Sequence, residues 1–120
     1  MREATLQAAQ ASRGRYFVMP AWGNHAGDNL ALIRGSQELM LDIAGDPEWV
    51  LQAAKRVSDI LIEMHEELWA MAGPEVTGLE GSANYCSLWS PGRTMGFDCD
   101  ISCCLSPKQF EELFLPPLIE

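Results

Sequence analysis

Residues 96–117, "GFDCDISCCLSPKQFEELFLPP", hold two aspartates, three cysteines and a Ser-Pro pair in one run. The reading of this run decides the fold. Phe97 and Cys99 alternate with Asp98 and Asp100, which is the two-residue period of a strand. Ser106 followed by Pro107 is a helix start, because proline at the first helical position gives up an N–H that would have no partner there. The run reads as a strand turning into a helix, which Pro116 and Pro117 then interrupt or end.

Upstream, the clearest element spans residues 47–72. Asp46 stands at the N-cap, Pro47 at the first helical position and Glu48 in the electropositive first turn. Val50, Ala54, Val57, Leu61, Met64 and Leu68 recur in steps of four and three, one apolar stripe along a long helix that Gly73 and Pro74 stop. Residues 4–12 are rich in helix formers and end at Gly14, like the tail of a preceding helix. Residues 15–22, "RYFVMPAW", read as a short buried strand, and "GNHAGDN" as the loop after it. From Asp28 the pattern is helical, in two pieces broken at Gly35 and Gly45. Residues 75–81, "EVTGLEG", read as another strand, and "SANYCSLWSPGRT" as an elaborate loop. Strand and helix alternate, which is α/β grammar with a parallel sheet. Two or three strands leave raw sheet edges, so the chain is expected to self-associate as a homo-oligomer or to be part of something larger.

The bulk properties narrow the partners. The 120 residues carry 17 acidic and 8 basic side chains, for a net charge of −9 with both histidines neutral, and the basic residues are scattered. Such a field repels nucleic acid and anionic lipid, and as an ordinary solubilising surface charge it needs no special partner of its own. No apolar run approaches a membrane span, and the first residues lack the apolar segment of a secretory signal, so the expected location is cytoplasmic. There, Cys86, Cys99, Cys103 and Cys104 are reduced thiols.

Three stretches in order resemble the uroporphyrinogen decarboxylase-like superfamily. They are "YFVMPAWGNHAGDNLALIRG" (16–35), "LMLDIAGDPEWVLQAAKRVSDILIEMHEELWAMAG" (39–73) and "LSPKQFEELFLPPL" (105–118). The resemblance runs from about Tyr16 to the end of the chain. It implies a central fragment of a (β/α)8 TIM barrel of roughly 250 residues. The fragment would be a single partial domain, with residues 1–14 ending a helix, 15–73 forming a first βα unit and 74–120 a second. The activity implied is that of a lyase of porphyrin metabolism, decarboxylating a small organic ligand, or of a related corrinoid-dependent methyltransferase. The family's arginine-rich segment, its catalytic aspartate and the zinc ligands of the methyltransferases correspond to nothing in this chain. No cofactor is therefore evident; corrinoid or zinc belongs to a full-length relative. The alternative is a non-catalytic scaffold or ligand-binding fragment of the same fold.

Within that frame, Asp98 and Asp100 would share the strand face that looks into the barrel mouth, to bind a cation, orient a substrate or divide acid and base roles. Otherwise they are a loop-edge pair, with Asp100 capping the next turn. In the decarboxylases the position matching Asp100 resembles a small hydroxyl residue, so an aspartate argues against the same tetra-acidic ligand. His25, just after the first strand, is the third catalytic candidate, or else a loop residue beside a capping Asp28. Glu80, Tyr85, Trp89 and Arg93 are the ligand-binding candidates, since aromatics with one arginine suit a planar or carboxylated molecule; otherwise they form an aromatic loop folded over its own barrel. Cys99, Cys103 and Cys104 lack zinc-ligand spacing and read as small buried thiols, so no metal site is assigned. His65-Glu66 begins like a zinc-protease helix, but Trp69 stands where its second histidine belongs, and the pair reads as helix flank.

Overall fold

The structure, a computed structural model, describes residues 2–18, 23–84, 88–94 and 96–119. Among these residues it is mostly helical: seven α-helices and one 3-10 helix against four strands of two residues each. No helix among the described residues is long and apolar enough to cross a membrane. The chain divides into two compact units, Met1–Gly23 with Glu63–Gly96, and Asn24–Ile62 with Phe97–Glu120.

Where capping signals were strong, sequence and structure agree. Helix α4, Pro47–Ala72, begins where Asp46 Oδ1 accepts the Trp49 N–H at 3.2 Å. Along its stripe Val50 and Ala54 are buried and Val57, Leu61 and Leu68 half-buried, while Met64 is exposed. Helix α6, Pro107–Leu113, opens with a reciprocal capping box. Ser106 Oγ accepts the Gln109 N–H at 3.2 Å, and Gln109 Oε1 accepts the Ser106 N–H at 2.9 Å. Gly35, at φ +97°, separates α2 (Ala26–Arg34) from α3 (Ser36–Gly45).

The expected α/β barrel fragment with its parallel sheet is overturned. Residues 15–18 form no strand, and 19–22 lie outside the described residues. Residues 74–77 form a single helical turn, α5 (Pro74–Thr77), instead of a strand. Val76 and Thr77 favour β structure, but Pro74 at the helix start and Gly78 in the left-handed conformation at its end outweigh them. Thr77 Oγ1 also donates back to the Gly73 carbonyl at 3.0 Å, which closes the turn. The supposed polar loop carries the antiparallel pairing, β2 (Ser82–Ala83) with β3 (Trp89–Ser90). Strand β4 is only Phe97–Asp98, beside β1 (Gly23–Asn24), and Asp100–Cys104 is a 3-10 helix. The cause is a contact from far away in sequence. The Asp28 carboxylate accepts the Asp100 N–H at 3.1 Å and the Ile101 N–H at 2.9 Å, capping the 3-10 helix and ending the strand. Asp28 caps this helix rather than the one it sits in. With strands this short, raw sheet edges no longer argue for self-association.

The second unit contains the larger apolar core. Leu30, Leu39, Ile43, Val50, Ala54, Ile101, Leu113 and Phe114 are buried together, with Phe110 and Leu105 packed at the margin. In the first unit α1 (Arg2–Ser12) packs on α5, and Ala9, Ser12 and Thr77 are buried. Ser12 Oγ is satisfied by donating to the Ala9 carbonyl at 2.7 Å.

Candidate functional site

The first unit has a partly open cleft with a volume of about 280 Å3. One wall is the last turns of α4, which contribute Leu68, Trp69 and Ala72 along with His65 and Glu66. His65 and Trp69 are four apart, so one helix face presents both. Phe17 and Val18 add apolar surface, and the opposite wall is the β2 edge, Gly81, Ser82 and Ala83. Ser82 fixes that wall: its Oγ donates to the Gly92 carbonyl at 2.7 Å and accepts the Thr94 N–H at 3.0 Å.

These bonds tie down the chain that carries Arg93, whose guanidinium carbon lies 5.1 Å from the centroid of the Trp69 ring, a cation–π arrangement. Arg93 Nη1 also donates to Glu66 Oε1. Both side chains of that pair are more than half exposed, 55% and 59%, so the pair is screened and of the kind that contributes about 0–1 kcal/mol. Burial pushes the half-buried His65 imidazole below its ordinary value, so it is neutral at pH 7. The pocket is thus an aromatic-floored cleft with one weakly committed guanidinium and one neutral imidazole.

Of the ligand candidates read from sequence, the structure places Arg93 here. Trp89 Nε1 donates to the Glu80 carbonyl at 3.2 Å, so these two candidates hold each other across the hairpin. The Trp89 side chain is 58% exposed and the Glu80 side chain exposed. Tyr85 lies outside the described residues, as does Cys86. His65 and Glu66, which the sequence reads as helix flank, line the cavity together with Trp69, and the four-residue spacing of His65 and Trp69 is the signal that puts both on one helix face.

The three catalytic candidates belong to the second unit. Asp98 and Asp100 are exposed, and they do not share a strand face because the strand stops at Asp98. His25 is the N-cap of α2 and only 1% exposed. Its Nδ1 accepts the Gly27 N–H at 3.1 Å, which leaves the proton on Nε2. Its backbone N–H donates to the Asp98 carbonyl at 3.0 Å. The ring packs at 6.2 Å from Phe110 and 6.0 Å, edge-on, from Phe114. Nε2 is buried without a hydrogen bond of ordinary geometry; the Phe114 carbonyl is near enough to favour its charged form slightly, and Asp28 does so more. Burial outweighs both and lowers the pKa. His25 is therefore a structural cap with a neutral ring.

The neutral His25 has a measurable consequence. Below about pH 6.5 the unfolded chain takes up a proton that folded His25 refuses, so stability is full above that pH and falls as the pH drops. The slope approaches at most about 1.4 kcal/mol per pH unit for one such group. His25→Asn keeps an acceptor for the Gly27 N–H and removes the titration. In urea melts from about pH 7.5 to about pH 5, the wild type should lose stability more steeply than this variant; parallel curves would refute the assignment.

Cys99 is half-buried, and burial, with Asp28 and Asp100 nearby, pushes its thiol up to about 11. Cys103 and Cys104 are exposed, not buried as expected, with their sulfurs 3.7 Å apart. Among the described residues no group of three or more His, Cys, Asp and Glu side chains is gathered to hold a metal ion. No protein-family model, no curated protein and no solved structure matches the chain.

Proposed function

We propose that this chain binds a small planar organic anion in the cavity of its first unit. The observation that carries the reading is the Arg93 guanidinium stacked 5.1 Å over Trp69 at a cavity of about 280 Å3. A guanidinium offers five N–H donors in a planar fork that matches a carboxylate. Glu66, an exposed and weakly held partner, yields to a ligand carboxylate at small cost. A ring then lies against Trp69, Leu68 and Phe17, and neutral His65 offers a hydrogen bond without adding charge. The volume lies just below the usual range for organic ligands, about 300–1,000 Å3, which favours a single ring.

This reading keeps the small organic ligand that the family resemblance implies, and a cytoplasmic setting in which such metabolites and reduced cysteines coexist. It leaves out decarboxylation and methyl transfer, because Asp98 and Asp100 are exposed and His25 is a buried cap.

The test is isothermal titration with benzoate, hydroxybenzoates and their carboxamides. Carboxylates should bind and the matched carboxamides should not. Arg93→Gln should weaken carboxylate binding about ten- to a hundredfold, the cost of one charge-assisted contact. Equal binding of acid and amide, or an unchanged affinity in Arg93→Gln, would sink the proposal.

A further inference from the structure

The cysteines of residues 99–104 play no part in the pocket. Cys103 and Cys104 are adjacent, both exposed, and their Sγ atoms are 3.7 Å apart, within S–H···S reach but far outside bonding distance of about 2.05 Å. The turn that carries them is held at both ends. Asp28 caps its first two N–H groups, the Ser102 N–H donates to the Cys99 carbonyl at 3.0 Å, and the Leu105 N–H donates to the Ser102 carbonyl at 3.1 Å. Two thiols are thus presented side by side on a backbone fixed from another part of the chain.

We propose that Cys103 and Cys104 form a two-thiol site for soft, thiophilic trivalent arsenicals. Soft centres choose thiolate ligands, and two sulfurs on one short turn suit a bent dithiolate. Zinc is a poorer fit, since it asks for four ligands or three and a water, and no third ligand is gathered here among the described residues. The S–H···S contact with Cys104, and then the repulsion a second thiolate would bring, push the Cys103 thiol up, so Cys103 starts as a neutral thiol. Condensation suits that state. An organoarsenic oxide, R–As=O, forms two As–S bonds; the As=O bond breaks, and its oxygen leaves as water with both thiol protons. Arsenic stays trivalent throughout, and no oxidant or reductant is needed. Cys99 is excluded by access, being half-buried where Cys103 and Cys104 are exposed. The inference is independent of the anion pocket.

The experiment uses the full, reduced chain with one equivalent of phenylarsine oxide, then a large excess of glutathione as competing monothiol, read by intact mass and thiol titration. The wild type should keep one adduct and lose two of its four titratable thiols. Cys103→Ser and Cys104→Ser should each hold the adduct at least about 100-fold less firmly, since the second thiol no longer acts at high effective concentration. Cys99→Ser and Cys86→Ser should keep it. Because both proposed thiols are exposed, their serine variants leave the core intact. No glutathione-resistant adduct on the wild type, full retention by either single variant, or loss in Cys99→Ser or Cys86→Ser would overturn the proposal.

Discussion

Phe114→Ala should destabilise the second unit by about 3–5 kcal/mol, the cost of removing a fully buried aromatic ring and leaving its cavity. The ring is 0% exposed and closes the core from the C-terminal end of α6. It also defines its neighbours. A Cβ at Gly27 would come within 3.2 Å of two Phe114 ring carbons and 2.8 Å of Ile101 Cγ2, so α2, α6 and the 3-10 helix meet there with no space to spare. Domains of this size are stable by about 5–15 kcal/mol in total, so one such loss brings the unit close to unfolding. Leu113→Ala, at 5% exposure, should cost about 2–3 kcal/mol, and Leu118→Ala, at 39%, well under 1 kcal/mol. Urea denaturation followed by far-UV circular dichroism ranks the three. If Phe114→Ala cost no more than Leu118→Ala, the packing described for this core would be wrong.

What the sequence disclosed, and what it hid, follows the range of the interactions involved. Helices α4 and α6 were legible because their starts are written locally, as Asp46-Pro47 and Ser106-Pro107, and confirmed by caps only three residues long. The strand expected at 95–102, "MGFDCDIS", fails for the opposite reason. The carboxylate that bends it into a 3-10 helix belongs to Asp28, more than seventy residues upstream, and no local period reports such a contact. At 75–81 the β-branched Val76 and Thr77 suggest a strand, but the flanking Pro74 and Gly78 prevail, because helical caps outrank β propensity in so short a segment. The site shows the same division. Arg93 reads as a ligand contact from its aromatic neighbours in sequence, yet the ring it stacks on is Trp69, in helix α4. His65-Glu66 lacks the second histidine of a zinc-protease helix, and Trp69, which stands in that place, lines the cavity beside it. Cys103 and Cys104 read as buried thiols but are exposed, because neither residue type nor spacing reports exposure.

Gly81→Ala should abolish anion binding and destabilise the first unit by about 2–4 kcal/mol, from left-handed strain and overpacking together. Gly81 is buried at φ +81°, and it forms one wall of the cavity with Ser82 and Ala83. A Cβ there would meet the Ser90 carbonyl oxygen at 2.2 Å and Trp89 Nε1 at 2.8 Å. The first obstacle is backbone and cannot rotate away. It belongs to the residue paired with Ser82, so relief comes only by opening the β2–β3 ladder. Opening the ladder strains the Ser82 bonds to Gly92 and Thr94, which hold Arg93 over Trp69. Gly78 supplies the control, because it has a similar φ of +72° but open space where its Cβ would stand. Gly78→Ala should cost only the conformational strain, about 1–2 kcal/mol, and leave binding intact. Paired titration and melting of the two variants separates backbone strain from loss of the pocket wall. Equal losses of affinity in both would show that the hairpin does not position Arg93.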